Sequence, residues 1–370
     1  MSFLPESFEA SRANFRLGLA KVQAHWPAAQ LHVHALPGEE DLSIDWITAQ
    51  VRRVAEKVLI ITAGEHGIEG YPGAAMLQLF MEEYLSRLDP DTIGLLFVHA
   101  INPWGMKHRR HTNSSNVDLN RSFVTDFASL SGSNPDYGLL ASLLEPTRPI
   151  KVIPWEMAVF FGQVVTALRR YGMVRLREAS LRGQFDHPQG IYYGGQSLQE
   201  ETGLMMSLFE KTVYGYTKAV VIDMHTGYGP RGKMTLVAST QEKMSSAEMV
   251  AKFNIPRVAA TTPQEFYSIQ GDMIEYLYTL MREKFPSKPF FAATFEFGTL
   301  GNSLLATVRS LNAIISENRF HWHGGSESAH RWVQAEYARQ YAPPDADWLA
   351  LAQSDCRMAF EGLLHSYGFL

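Results

Sequence analysis

The sequence predicts an α/β fold with a mixed, mostly parallel central sheet and helices on both faces. Three observations carry this reading. Residues 57–62 and 95–101 are almost continuously apolar, as strands covered on both faces must be. Helical spacing follows the first of them, over 71–88. The same rhythm of strand, loop and helix returns at 219–225, 234–239 and 290–297. Alternation of this kind builds parallel sheets through crossover helices.

In chain order, residues 31–36 and 42–51 alternate apolar and polar side chains. They read as two strands joined across Pro37-Gly38-Glu39-Glu40. Pro72 falls in the first turn of the 71–88 helix, where its missing N–H is not needed. The 95–101 strand ends in Asn102-Pro103-Trp104-Gly105. Residues 155–181 read as helix, and 183–195 are rich in turn formers and aromatics. Long elaborations on compact folds tend to be functional, so this stretch is expected to cover or line a site. After Glu296 the chain reads mainly helical to Leu370, with a break at Pro343-Pro344. No linker composition divides the chain. One domain over 1–370 is expected, elaborated at about 124–215 and extended by helices at about 303–370.

Bulk composition narrows the function. Apolar residues at 46% and charged residues at 19% suit a globular chain. A net charge of −5 gives no electrostatic case for nucleic acid or an anionic membrane. The single cysteine, Cys356, makes no intrachain disulfide, and no 18-residue apolar stretch occurs. The N-terminus lacks the basic and apolar regions of a secretory signal, so a soluble cytoplasmic protein is expected.

The chemistry is concentrated in a few loops. Gly64-Glu65-His66-Gly67-Ile68-Glu69-Gly70 follows directly on the 57–62 run. A His and a Glu three residues apart on such a loop can turn an imidazole nitrogen and a carboxylate oxygen toward one point. Both are zinc donors, and a catalytic zinc needs three protein ligands and an open position. His225, at the end of Val220-Val221-Ile222-Asp223-Met224-His225, is the candidate third ligand. The expected centre is therefore one zinc per chain, on His66, Glu69 and His225. Asp223 reads either as a partner of His225 or as a strand-end carboxylate bonding the backbone.

Three further signals surround it. Asn116-Val117-Asp118-Leu119-Asn120-Arg121 follows the cluster Lys107-His108-Arg109-Arg110-His111. Arg121 near a metal can clamp a substrate carboxylate, with the Asn120 amide beside it. Taken alone, the stretch also reads as a solvated basic loop with an Arg121–Asp118 pair. Glu296 sits in the aromatic run 290–297, where desolvation raises a carboxylate's pKa and suits it to general-base work. Tyr267 is a weaker candidate, a mobile phenol over the site. His321 and His323 have no third partner nearby in sequence and read as packing at a helix start.

With these residues in hand, the chain resembles the zinc carboxypeptidase superfamily, which includes carboxypeptidase A and the aspartoacylase and succinylglutamate desuccinylase deacylases. Four ordered blocks carry the resemblance across 57–299: H-x-x-E, Asn-Pro followed by D-L-N-R, a strand-end His, and T-F-E. It implies zinc on His66, Glu69 and His225, with Glu296 as base and proton shuttle. It also implies that Asn120 and Arg121 hold a terminal carboxylate, and that Arg109 or Arg110, with a slight preference for Arg110, polarises the scissile carbonyl. The expected function is a carboxypeptidase-like metallopeptidase acting on small peptides. The alternatives are an N-acyl amino-acid deacylase and a non-catalytic carboxylate-binding protein. G-x-H-G-x-E, D-L-N-R and D-x-H-T lean toward the deacylases; the helical C-terminal part does not match aspartoacylase.

Overall fold

The computed structural model describes residues 4–38, 41–262 and 269–370. Its centre is an eight-stranded sheet of β1 (Gln30–Ala35), β2 (Ser43–Ala49), β3 (Lys57–Ala63), β4 (Ile93–His99), β5 (Lys218–Gly227), β6 (Met234–Ala238), β7 (Val258–Ala260) and β8 (Phe290–Gly298). The spatial order is β1-β2-β4-β3-β5-β8-β6-β7. The four middle strands, β4-β3-β5-β8, run parallel. β1, β2 and β6 pair antiparallel with their inner or outer neighbours, and β7 runs parallel to β6. The fold class is the one expected from the alternating apolar runs.

The pleat divides the core. Leu59, Ile61, Val220 and Ile222 face one side, under the Phe8–Gln23, Gly70–Glu83 and Ala346–Tyr367 helices. Val58, Ile60, Ala219 and Val221 face the other, under the Glu200–Tyr214 and Met273–Lys284 helices. Successive residues point to opposite faces, so strands covered on both sides must be apolar at every position. Each fully buried aliphatic side chain contributes roughly 1.5–3 kcal/mol.

Where the elements differ from expectation, local chemistry explains it. The 155–181 stretch is two helices, Ile153–Tyr171 and Met173–Leu181, broken at Gly172, whose φ of 78° is open to glycine. His321 and His323 close the last turn of the Leu304–His323 helix rather than opening one. The three-residue β7 is too short to leave an alternation in the sequence. The two helices of the elaboration share an apolar cluster with Leu304–His323 and Glu327–Tyr341, through Phe160, Val164, Leu176, Ala313, Ile314 and Tyr337. Among the described residues, no helix is long and apolar enough to cross a membrane.

Candidate metal centre

The carboxyl ends of β3, β5 and β8 meet at one place, as ligand sites on parallel sheets do. The chain leaves β3 through Gly64, at φ 74°, and places His66 just before a 3-10 turn, Gly67–Glu69, that Glu69 closes. Gly67 makes this loop fit: a Cβ there would lie 2.0 Å from the Gly105 carbonyl carbon. Backbone bonds from Gly67 N to His111 O (3.2 Å) and from Ile68 N to Arg110 O (2.9 Å) fix the loop to the segment after β4. β5 brings His225, and β8 brings Glu296 beside it in register.

Three donor side chains converge. His66 Nδ1 is 3.0 Å from Glu69 Oε1 and 3.2 Å from His225 Nδ1, and His225 Nδ1 is 3.3 Å from Glu69 Oε2. A tetrahedral metal with bonds of about 2.0–2.1 Å sets its ligand atoms about 3.3–3.4 Å apart. The outward nitrogens are held by carboxylates. His66 Nε2 lies 3.2 Å from Asp118 Oδ1, and His225 Nε2 meets Asp223 Oδ2 and, at 3.2 Å, Glu65 Oε2. Thr62 Oγ1 donates to the other Asp223 oxygen at 2.6 Å. Carboxylates behind ligating imidazoles turn the inner nitrogens toward the metal.

Charge points the same way. Glu65, Glu69, Asp118, Asp223 and Glu296 are all buried here. Among the described residues, the guanidinium set against this group is that of Arg121, 3.8 Å from Asp118. Buried carboxylates need counter-charges, and a divalent cation among them would take the place of the protons that the imidazoles otherwise hold. Burial pushes Glu65 up to about 8 and Glu296 up to about 7, the latter helped by the neighbouring Glu69 charge. Burial works against a charged His66, but Glu69 and Asp118 outweigh it and raise its pKa to about 9. The donor set fits a divalent metal ion.

A cavity of about 560 Å³ opens over the donors and is lined by His66, Glu69, His225 and Glu296. Glu296 Oε1 accepts from Tyr228 N at 2.9 Å, which aims the carboxylate. Asn120 and Arg121 also line the cavity. Asn120 Oδ1 accepts from Met273 N at 2.9 Å, while Arg121 donates to the carbonyls of Asn120 (3.0 Å) and Leu181 (2.8 Å) and lies over the Tyr192 ring. The D-L-N-R loop is buried, not solvated.

Arg109 and Arg110 do not line the cavity. Arg110 is buried against Glu317 (Nε to Oε1, 2.7 Å) and donates to Asn318 Oδ1 at 3.1 Å. Arg109 bonds the Glu6 carbonyl and lies over Tyr71. The carbonyl-polarising role implied for one of them is corrected on this geometry: a buried carboxylate holds one guanidinium, and a ring with a carbonyl holds the other. Tyr267 lies outside the described residues.

Sequence reasoning gave no place beside the donors to three residues, of which Asp118 was read only as a partner of Arg121. His111 lines the cavity, its ring 3.6 Å from that of His66 and its Nε2 3.3 Å from Asp118 Oδ2. Asp118 joins His66, His111 and Arg121, and also caps Asn120 N at 3.0 Å. Tyr192, in the aromatic 183–195 segment, contributes a buried phenol whose pKa burial raises to about 12. The fixed spacing of Asp118 before Asn120-Arg121 was the available signal for the second of these. That segment is tied down by Asp118 N to Tyr193 O (2.7 Å) and Asn116 Nδ2 to Gly190 O (3.0 Å).

Residues 3–353 match the family described as Protein of unknown function (DUF2817). The chain belongs to that family. No curated protein matches this DUF2817 chain by sequence. Its fold is similar to that of bovine thrombin-activatable fibrinolysis inhibitor, solved in complex with tick carboxypeptidase inhibitor. That match has a TM-score of 0.53 and 11% identity, and covers 100% of this chain and 99% of the other. Carboxypeptidase A of Helicoverpa armigera matches with a TM-score of 0.46 and 14% identity, over 90% of this chain and 73% of the other. A succinylglutamate desuccinylase of Silicibacter sp. TM1040 gives 0.38 and 13%, over 80% and 67%. The DUF2817 chain has a carboxypeptidase-like fold.

Proposed function

We propose that this protein is a zinc-dependent hydrolase that cleaves an amide bond next to a free carboxylate. The observation that carries the reading is the triangle of His66 Nδ1, Glu69 and His225 Nδ1, with edges of 3.0–3.3 Å, on the floor of a cavity that Glu296 also lines. A zinc ion held by His66, Glu69 and His225 would supply Lewis acidity and lower the pKa of a water at the site.

The chain's own groups do the rest. Glu296, aimed by Tyr228 N, takes the proton from the attacking water and returns it to the leaving amine nitrogen. Asn120 and Arg121 receive the substrate carboxylate, with Tyr192 stacked under the guanidinium. His111 takes the place first given to an arginine. Its ring lies against that of His66, and burial pushes its pKa down to about 4, so the imidazole is neutral and its ring N–H is the group offered to the carbonyl oxygen.

Carboxypeptidase-like cleavage of small peptides and deacylation of N-acyl amino acids use the same groups. Zinc-loaded protein is to be assayed on short peptides and N-acyl amino acids side by side, with metal per chain measured on the same sample. About one zinc per chain with turnover of either class supports the proposal. Zinc-loaded protein that hydrolyses neither removes it.

A further inference from the structure

Past the metal donors the cavity continues between two helical walls. One is built from Ile153–Tyr171 and Met173–Leu181 and presents Val164, Leu168 and Leu176; the other is the first half of Leu304–His323 and presents Leu304, Val308 and Leu311. The walls are held together by Arg319 Nη1 to Glu156 Oε2 at 2.9 Å and by a shared apolar cluster. At the mouth stand Met173 and Leu304, 41% and 59% exposed. Exposed apolar residues continuous with a catalytic cavity mark a ligand-binding surface.

Two of the hydroxyls on these walls are bonded within their own helices, while Ser310 also lines the second wall. Ser180 Oγ donates to Leu176 O at 2.7 Å, and Thr307 Oγ1 to Ser303 O at 3.3 Å. Arg177 adds a cation on the first wall. The peptide groups of a helix flank are already bonded within the helix. An extended peptide laid there would leave its own N–H and C=O groups without partners, at a cost for each. A hydrocarbon chain has no such groups.

We infer that this reach of the cavity receives an aliphatic acyl chain, so that the substrate class is N-acyl amino acids of medium to long chain. The inference rests on the hydrolase reading above. In the reaction water adds to the acyl carbon, the C–N bond breaks, and a free fatty acid and an amino acid leave, the amine nitrogen having gained the proton.

The test uses full-length zinc-loaded protein and a series of acetyl, butanoyl, hexanoyl, octanoyl and decanoyl amides of glycine, leucine and aspartate. About 0.8 kcal/mol per buried methylene corresponds to a three- to fourfold gain in kcat/KM for each added carbon. At least a hundredfold rise from acetyl to octanoyl is expected, and Val308→Trp shifts the optimum to shorter chains. A flat series, or cleavage of peptides alone, overturns the acyl inference and leaves the hydrolase reading standing. If nothing is hydrolysed, the hydrolase reading fails and the inference is judged by calorimetric binding of the same amides. Affinity that rises with chain length upholds it, and affinity independent of chain length overturns it.

Discussion

His225 and Glu296 are register partners on adjacent parallel strands, β5 and β8, so their side chains leave the sheet on the same face. That pairing sets the candidate base beside a candidate metal ligand without any loop having to bring them together. Sites carried on strands are held more precisely than sites on loops.

The first prediction concerns Glu296. Replacing it with Gln keeps the shape and the Tyr228 N contact but removes the base. kcat/KM should fall by about a hundred- to ten-thousandfold with metal content unchanged. The wild-type enzyme should also lose activity as pH falls, because only the carboxylate accepts a proton. Burial and Glu69 put that transition at about 7, and a bound cation beside the carboxylate moves it lower. An acid limb that persists in Glu296→Gln would assign it to another group.

Metal affinity should rise steeply with pH. Glu69 and Asp118 hold a proton on His66 up to about 9, and Asp223 raises His225 well above its ordinary range, in both cases against burial. A metal must displace those protons, so each one released contributes about a tenfold gain per pH unit. The sign for stability is the reverse in the apo chain. A raised His pKa contributes stability that is whole below about 6.5 and is lost as pH rises through about 9. Apo protein should therefore melt progressively lower from pH 6.5 to 9, while zinc-loaded protein does not follow it. Zinc competition with a chromophoric chelator and thermal melts at each pH check both halves.

Much of this centre was legible because its parts sit at strand ends. His66, Glu69, His225 and Glu296 each follow or end an apolar run that could only be an interior strand, and parallel strands deliver their ends to one edge. His111 and Arg110 were not legible. They are adjacent in sequence, yet one lines the cavity and the other faces Glu317, 207 residues downstream on a helix whose packing no local pattern reveals. The apolar cleft was hidden for the same reason, since its walls come from segments more than a hundred residues apart.

Asp118→Asn should weaken metal binding by about ten- to a hundredfold. Asn keeps the shape but loses the charge that supports His66 at 3.2 Å and pairs with Arg121 at 3.8 Å. The loss should appear as a higher metal concentration for half-maximal activity, with much of kcat recovered at saturating zinc. A kcat that stays low at saturating metal would mean that Asp118 acts on the substrate instead.

Arg110 separates stability from chemistry. Its guanidinium meets Glu317 at 2.7 Å in a site where burial raises the carboxylate's pKa and the guanidinium opposes that rise. Arg110→Met leaves a buried carboxylate without its counter-charge and should cost about 3–5 kcal/mol of folding free energy, read by chemical denaturation. Removing both charges, Arg110→Met with Glu317→Leu, should recover part of that loss, because an apolar pair of similar volume carries no desolvation penalty. The backbone of Arg110, which accepts from Ile68 N under the metal loop, is untouched by either change. kcat/KM of the folded variants should therefore stay near that of the wild type. A large fall in kcat with stability unchanged would return Arg110 to the role of polarising the carbonyl, and would require its side chain to leave Glu317 during turnover.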